Sequence, residues 1–505
     1  MLDQTFSAKN FLTVYEQQNR MGRVPKETMG MDFQSVVAQI VETNKELQDL
    51  RNKKKAEKTE EDENKITELK ENQKELRKQK QKVLLAEMKS LAAEVNKADF
   101  RFKFQEDWIY GKKVFKIDST DHAQLFAMKQ LQQNLQRTFK VKQANRHLIM
   151  TNLKLLLKTR RPFYIIRTDV SSFFESIPQD QLRSIIFDNT LLSHKSKKFV
   201  EAIIREYEAE KAKMPDEEKG GMSTGCGVPR GIGISSFLSE IYMRDLDNNI
   251  RKRPEVIFYA RYVDDIFMLL AELPLGTELE DYYHQLEDDF KEKGLRLKPI
   301  GADKCSAIDC TRQEEDSHDV TYLGYKLCIF SNMSKPKKEG DKTKWKNTDV
   351  TFSMSDAKCV RIKHRIDNAF KRFDAVNRRD IHQARKDLVD SLKLITGNAR
   401  LHKSKSGIKT GLYYNSDLLD GETDLKELNT YLYNKVVTLH PKLFRTEKEK
   451  EKYLTALNTR IHKFDFVSSW KSRKIYELSS HRLNDIMRWL NEDDKEEETH
   501  ETEED

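Results

Sequence analysis

The sequence predicts an α+β fold in which long helices accompany a small antiparallel sheet, and three observations support that prediction. Residues 31–110 contain neither glycine nor proline and are rich in Glu, Lys, Gln, Leu and Ala, a composition that favours long helices. The apolar segments 256–259 and 266–270 flank a short acidic stretch, as the two strands of a β-hairpin do. A further apolar segment, 162–166, precedes Asp169 and is predicted to be a third strand.

The first 104 residues are predicted to form a charged helical extension, either a helical hairpin or a coiled coil. The polar stretch 53–64 could be the tip of such a hairpin, because apolar residues at helical spacing occur on both sides of it. These residues are Val37, Ile40, Val41, Leu47 and Leu50, and then Ile66, Leu69, Leu76, Leu84, Met88, Leu91 and Val95. Four lysines on one face of the second helix would follow a phosphate backbone or simply be solvated. They are Lys70, Lys74, Lys78 and Lys82.

The turn of the predicted β-hairpin carries two adjacent acids, Asp264 and Asp265. Buried strands would hold both carboxylates at an exposed tip, where Mg²⁺ accepts oxygen ligands and keeps room for substrate phosphates. Asp169 lies 95 residues before Asp264 and would complete a three-carboxylate site. Such a site suits phosphoryl transfer, because displacement at phosphorus requires little covalent help and much charge neutralisation.

A loop that contains glycine and proline, residues 227–233, lies between the two acidic elements and leads into an apolar helix. Its glycines would let the backbone approach a flat ligand closely. Together, the first aspartate, the Gly-Val-Pro-Arg-Gly loop and the Tyr-Val-Asp-Asp turn resemble, in order and spacing, the palm of a reverse transcriptase. Three more segments resemble parts of a reverse transcriptase. Residues 294–304 resemble the palm segment that ends in a lysine, and residues 322–325 (Tyr-Leu-Gly-Tyr) resemble the primer grip. Residues 145–149 resemble the last helix of the fingers.

The resemblance covers about residues 105–370, and the sequences of residues 169–177 and 322–325 are closest to the bacterial retron, intron and antiviral-defence branch. The ligands that it implies for two Mg²⁺ ions are Asp169, Asp264, Asp265 and the backbone carbonyl of Val170. It also implies that Lys304 supplies a cation or proton to the leaving phosphate and that Phe174 blocks a ribose 2′-hydroxyl. The further nucleotide or template contacts that it implies are Val170, Pro229, Arg230, Gly231, Tyr262 and Arg146.

Arg230 departs from the family pattern, which usually has glutamine at this position of the loop. An arginine adds a fixed charge and five hydrogen-bond donors. One interpretation is that Arg230 alters template handling in an enzyme specialised to copy a short segment. The alternative is that Arg230 is a surface residue paired with a nearby acid.

The fold that the resemblance implies is a right-hand polymerase with fingers, palm and thumb. The predicted boundaries are 1–104 for the N-terminal helical extension, 105–335 for the fingers and palm, 336–400 for the thumb, 401–490 for a C-terminal helical domain and 491–505 for an acidic disordered tail. Residues 331–349 are predicted to be a loop rich in lysine and glycine, and a helix is predicted to begin at Ser355.

The composition agrees with a polyanion-binding protein. The net charge is +8, but residues 491–505 hold ten acids and one lysine, so residues 1–490 carry about +17. The five cysteines show no zinc-binding spacing, and free thiols are expected. No apolar run approaches the length of a membrane span, and residues 1–10 lack the features of a signal peptide. A cytoplasmic location without membrane contact is therefore expected.

The function that the resemblance implies is RNA-directed DNA synthesis by a bacterial enzyme of the retron-like or antiviral-defence type. Its partners would be an RNA template, dNTPs and a DNA product, and a second copy or another protein could join them. Two alternatives remain open, a maturase-like splicing factor that binds intron RNA and a nucleic-acid scaffold whose polymerase activity is dispensable. The three aspartates argue against the scaffold, because binding alone does not need them.

Overall fold

The computed structural model describes residues 3–20, 29–52, 59–109, 112–118, 120–159, 161–214, 223–311, 317–333, 346–377, 379–400, 409–438 and 464–491. The N-terminal part contains three helices and a β-hairpin within these ranges. Their bounds are α1 (Ala8–Arg20), α2 (Met31–Asn52), α3 (Glu60–Val95), β1 (Gln105–Ile109) and β2 (Lys112–Lys116).

The helices α2 and α3 pack side by side, and α1 packs on α3. A capping box starts α3, in which the Thr59 hydroxyl accepts from the Asp62 N–H and the Asp62 carboxylate accepts from the Thr59 N–H. The first predicted apolar stripe is partly wrong, because Val41 is 61% exposed whereas Phe33, Val36 and Leu47 are buried. Residues 53–58 of the predicted tip lie outside the described residues.

The second apolar stripe and the basic face lie on different sides of α3. Leu76, Leu84, Met88 and Val95 are buried. The lysines at 70, 74, 78 and 82 are all exposed. The basic face is therefore solvated in this structure, as charged helix faces usually are.

The central sheet has four antiparallel strands in the order β4-β5-β3-β6. The strands are β3 (Tyr164–Asp169), β4 (Val256–Tyr262), β5 (Asp265–Leu270) and β6 (Ser306–Asp309). The helices of this part of the chain are α4 (His122–Phe139), α5 (Arg146–Leu157), α6 (Phe173–Ser176), α7 (Gln179–Phe187), α8 (His194–Lys213), α9 (Ser235–Arg251) and α10 (Leu279–Glu292).

The central sheet separates two hydrophobic cores. Ile166 and Met268 belong to the core on one face, which also contains side chains of α4 and of α7 to α10. Ile165 and Leu269 belong to the core on the other face, which contains side chains of α5 and of the part of the chain after β6. Because successive strand residues point to opposite faces and both faces are covered, β3 and β5 have continuous apolar sequences.

A second antiparallel sheet and two helices follow the central sheet. They are β7 (His318–Tyr322), β8 (Tyr325–Met333), β9 (Lys346–Met354), α11 (Asp356–Asn377) and α12 (Ile381–Thr396). The prediction of a loop over 331–349 is wrong at both ends, because Ser331 pairs with Thr348 and Asn332 with Asn347. Backbone pairing between β8 and β9 overrides the loop-like composition there, whereas residues 334–345 lie outside the described residues.

The C-terminal part contains helices and a small three-stranded sheet in the order β11-β10-β12. Its bounds are β10 (Asn398–Arg400), β11 (Lys409–Gly411), α13 (Leu412–Asn415), α14 (Thr423–Thr438), α15 (Phe466–Lys471), β12 (Ile475–Tyr476) and α16 (Ser480–Leu490). The sheet was not predicted, because strands of two or three residues have no readable period. Residues 492–505 of the predicted acidic tail lie outside the described residues.

Two further findings concern the cysteines and the hydropathy of the helices. All five cysteines are free thiols. Among the described residues, no helix combines the length and the apolar character needed to cross a bilayer.

Candidate active site

The turn between β4 and β5 presents the two adjacent acids. Tyr262 pairs with Asp265, so Val263 and Asp264 form a two-residue turn. Val263 has a φ of 63°, which is a strained value for a β-branched residue. Two hydrogen bonds hold the turn, one from the Val170 N–H to the Asp264 carbonyl at 3.1 Å and one from Arg261 Nη1 to the Val263 carbonyl at 2.8 Å.

The third aspartate lies opposite this turn. Asp169 ends β3, and its cross-strand partner in β5 is Asp265. Burial raises the pKa of Asp265 to about 6, with the charge of Asp169 as a further cause and Arg167 opposing the shift. Burial and then Asp169 also raise the pKa of Asp264. Both pKa values are therefore raised chiefly by burial, and repulsion from the nearby Asp169 carboxylate adds to the shift.

Three cations surround the aspartates. Arg167 Nε lies 3.5 Å from Asp265 Oδ1, and Lys298 Nζ lies 3.4 Å from Asp169 Oδ2. Lys304 lies close enough to lower the pKa values of Asp264 and Asp265. Arg167 and Lys298 were not predicted. The sequence offered one signal for Arg167, since it is a charged residue inside an apolar strand. It precedes Asp169 by two residues, which places both side chains on the same face of β3.

The donor set fits a divalent cation. Among the described residues, no three His, Cys, Asp or Glu side chains converge closely enough to hold a metal ion as they stand. However, Asp265 Oδ1 is buried without a hydrogen-bond partner, since its ion pair with Arg167 lacks hydrogen-bonding geometry. Mg²⁺ takes hard oxygen ligands and needs only one or two carboxylates from the protein. A buried carboxylate oxygen that accepts no hydrogen bond, beside two more acids, supplies such ligands.

The backbone of Val170 also faces this site. The neighbouring Ser171 N–H donates to the Arg296 carbonyl at 2.8 Å, and the Lys298 N–H donates to the Asp169 carbonyl at 3.0 Å. These two bonds lie on either side of the antiparallel bridge between Val170 and Leu297. The Val170 N–H therefore points away from Leu297, and it donates to the Asp264 carbonyl. The N–H and C=O of one residue in an antiparallel ladder share a side. The Val170 carbonyl is therefore directed toward the acidic turn.

The loop at 227–233 folds back onto the segment that follows Asp169. The Gly227 N–H donates to the Ile177 carbonyl, and the Val228 N–H donates to the Phe174 carbonyl at 2.8 Å. Gly231 has a φ of 92°, and a Cβ there would lie 2.7 Å from the Phe115 carbonyl oxygen. Pro229 is buried, and its carbonyl accepts a hydrogen bond from Ser235 Oγ. A glycine is thus required where the loop passes β2.

Arg230 forms a two-point ion pair inside this site. Its Nε donates to Glu175 Oε1 at 2.7 Å, and its Nη2 donates to Glu175 Oε2 at 3.1 Å. The guanidinium carbon lies 5.4 Å from the centre of the Phe174 ring. The side chain of Arg230 is 25% exposed and that of Glu175 is 12% exposed. Arg230 therefore has the acidic partner that the second interpretation expected, but the pair is half-buried rather than superficial.

Comparison with known proteins identifies the domain that contains this site. The family model described as reverse transcriptase (RNA-dependent DNA polymerase) matches residues 110–327. That span includes Asp169, Asp264, Asp265 and the loop at 227–233. Residues 110–327 are a reverse transcriptase domain. The chain is an RNA-directed DNA polymerase with the predicted α+β, right-hand fold.

Several solved telomerase structures resemble the chain weakly. The apo telomerase from Candida tropicalis is 13% identical with a TM-score of 0.35, and the match covers 78% of this chain and 65% of that one. Its form truncated from the C-terminal domain is 13% identical with a TM-score of 0.30, and 52% and 69% are covered. The Candida albicans telomerase with a telomeric RNA fragment is 10% identical with a TM-score of 0.30, and 78% and 62% are covered. No curated protein sequence matches.

Within the reverse transcriptase domain, Arg146 lies against the Tyr-Leu-Gly-Tyr turn. Its Nε donates to the Leu323 carbonyl at 2.8 Å, and Leu323 and Gly324 both have positive φ. The guanidinium also lies 5.9 Å from the centre of the Tyr325 ring. The structure thus uses Arg146 to hold this turn, and its predicted contact with a nucleotide or template stays a prediction.

Lys358, at the start of α11, joins the same cluster. Its Nζ donates to the Ser416 hydroxyl at 2.6 Å and lies 5.3 Å from the centre of the Tyr325 ring. Burial, and then the charge of Arg146, lowers the pKa of Lys358 to about 7. The other charged or titratable groups that face it are Asp417, Cys359 and Arg361.

The lowered pKa of Lys358 predicts a pH-dependent stability. Above pH 7 the folded chain loses a proton that the unfolded chain keeps until about pH 10, so the free energy of unfolding should rise with pH in that window. Relative to Lys358→Met, wild type should gain about 3 kcal/mol between pH 7 and pH 9.5. Urea unfolding of both proteins at the two pH values measures this difference. Parallel pH profiles would contradict it.

Arg261 is the main residue of the site that the sequence did not reveal. Its side chain is 1% exposed and lies 2.8 Å from Asp247 and 2.9 Å from Glu240, both on α9. The Tyr259 hydroxyl donates to the same Asp247 carboxylate at 2.7 Å. Arg261 thereby connects the helix after the loop at 227–233 to the acidic turn between β4 and β5. The sequence shows an arginine directly before Tyr-Val-Asp-Asp, but it does not show which acids pair with that arginine.

Proposed function

We propose that this chain copies RNA into DNA by two-metal nucleotidyl transfer at Asp169, Asp264 and Asp265. The observation that carries the proposal is the geometry of the three aspartates, since Asp169 is the cross-strand partner of Asp265 and Asp264 lies in the turn directly before Asp265. Three carboxylates held together in a partly buried site need cations to balance their charge. When bound, two Mg²⁺ ions would supply that charge to the attacking and leaving oxygens.

The chain's own residues would position the reactants around these aspartates. The Val170 carbonyl would add a neutral oxygen ligand on the Asp264 side. Lys304 would bring a cation or a proton to the leaving phosphate, since it already lies within the field of Asp264 and Asp265. Phe174 would exclude a ribose 2′-hydroxyl. The residues that would contact the templating base or the nucleotide are Pro229, Arg230, Gly231 and Tyr262.

We assign the parts of the chain as the resemblance implied. Residues 105–335 would be the fingers and palm, and residues 336–400 the thumb, with α11 offering Arg361, Lys363 and Arg365 to a duplex. The N-terminal region 1–104 and the C-terminal region 401–490 would hold or shape the nucleic acid, and 491–505 would be an acidic tail. The positive charge of residues 1–490 supports a polyanionic partner.

We further propose that the enzyme is specialised. The sequences of residues 169–177 and 322–325 resemble the bacterial retron, intron and antiviral-defence branch. By that resemblance, the enzyme would copy a dedicated RNA template into DNA from dNTPs, and it would act in bacterial antiviral defence in the cytoplasm. Unrestricted copying of many added RNA templates by the purified protein would contradict the specialised function.

Purification with retained nucleic acid tests the proposed activity. The protein would be supplied with Mg²⁺ and labelled dNTPs beside an Asp264→Asn control, and any product would be sequenced. We expect a DNA product that is lost in the control and whose sequence reports the template. A defined bound RNA without any product would favour the maturase-like splicing factor or the scaffold, and survival of biological activity in Asp264→Asn would favour the scaffold.

A further inference from the structure

The ion pair between Arg230 and Glu175 lies against the ring expected to exclude ribonucleotides. Glu175 directly follows Phe174, whereas Arg230 comes from a loop that lies 55 residues further along the chain. Two hydrogen bonds fix the guanidinium group, and its central carbon lies 5.4 Å from the centre of the Phe174 ring. The pair therefore joins the loop to the side chains of two neighbouring residues in the short helix α6.

The same contact is reinforced by the main chain. The Phe174 carbonyl accepts from the Val228 N–H at 2.8 Å, and a Cβ on Gly227 would lie 2.9 Å from the Glu175 carbonyl oxygen. The Phe174 ring also lies 5.5 Å from the buried ring of Phe173. The Phe174 ring is thus confined by Phe173 and by the guanidinium of Arg230.

The pair also lies beside the acidic turn. Burial opposes the raised pKa of Arg230, the hydrogen bond to Glu175 and the charge of Glu175 raise it, and the charge of Asp264 adds a smaller effect in the same direction. A side chain that is near Asp264 and packs on Phe174 is well placed to act on the sugar of a nucleotide bound at the aspartates. Neutral glutamine, the usual residue of the family, could neither pair with Glu175 as an ion nor present a planar cation to the ring.

We propose that Glu175 and Arg230 are positioning residues that set sugar selectivity by holding the Phe174 ring in place. This inference rests on the proposed DNA synthesis. Steric exclusion of a 2′-hydroxyl works only if the excluding ring cannot retreat, because a ring that moves aside makes room for one more oxygen atom. The guanidinium restrains the ring through its face, and Glu175 restrains the guanidinium.

The test is the ratio of kcat/KM for a dNTP to kcat/KM for the rNTP of the same base. We expect the ratio to fall about tenfold in Arg230→Gln and in Glu175→Gln, which is the scale of a small change of fit in a binding pocket. The double variant E175Q/R230Q should lose no more than either single variant, since both remove the same restraint. Arg230→Lys, which keeps the charge but not the plane, should recover only part of the ratio.

Thermal unfolding of every variant shows whether a change in the ratio comes from a loss of folded protein. The double variant is the second control, because it removes both charges of the ion pair and leaves neither without its partner. Ratios equal to that of wild type in both single variants, with DNA synthesis intact, would overturn the inference and leave the polymerase proposal standing. A fall in both kcat/KM values by one common factor would also overturn it, because the pair would then be merely structural. A wild-type protein that adds no nucleotide would overturn both proposals.

Discussion

Replacing Asp169 by asparagine is expected to lower the rate of nucleotide addition at least about a thousandfold, because one of three charges that would bind the metal ions is removed. Asparagine has the same shape, so β3 should keep its pairing with β5. The measurement is single-turnover dNTP addition over a range of Mg²⁺ concentrations. A rate close to that of wild type would contradict the proposed role of Asp169.

The same substitution should not destabilise the protein in the absence of metal. The charge of Asp169 raises the pKa values of Asp264 and Asp265, so its removal relieves repulsion in the site. Thermal unfolding in EDTA should therefore give a midpoint no lower than that of wild type. Asp180→Asn is the matched control, because that side chain is 95% exposed and its removal should change neither the rate nor the midpoint.

Replacing Arg261 by methionine is expected to lower the free energy of unfolding by about 3–5 kcal/mol, because it leaves the carboxylates of Asp247 and Glu240 buried without their cation. Burial already raises the pKa of Glu240 although Arg261 opposes the shift. Urea unfolding monitored by circular dichroism measures the change. Adding Glu240→Gln and Asp247→Asn to the variant should recover part of the loss, since the buried charges are then removed together.

Arg261→Met should also reduce activity in molecules that remain folded. The strained Val263 would lose the hydrogen bond that its carbonyl accepts, and the turn that carries Asp264 would relax. The rate per folded molecule should therefore fall below that of wild type at temperatures well under the unfolding midpoint. Arg183→Met, which breaks a more exposed ion pair with Glu201, should cost about 0–1 kcal/mol and leave the rate unchanged. Equal stability of the two variants would refute the argument.

The acidic turn between β4 and β5 illustrates what local sequence can predict. Two apolar strands around Asp264 and a third before Asp169 are local patterns, and the structure pairs those strands as expected. Long helices near the N-terminus followed equally from composition. By contrast, the polar ends of β8 and β9 were predicted to be part of a loop. Those residues are strands because they pair with each other, and their local sequence does not indicate that pairing.

The sequence by itself determined the domain and its acidic residues, because three short motifs with fixed order and spacing are readable without a structure. Only the tertiary structure decided which charges meet. Arg230 forms an ion pair with Glu175, 55 positions earlier in the chain. Arg261 on β4 pairs with Asp247 and Glu240 on α9. Arg146 donates a hydrogen bond to Leu323, 177 positions later. Such pairs depend on how separate segments pack, and no local periodicity records them. The physical reason is that a side chain's chemistry is local to the chain, whereas its partners are set by the fold.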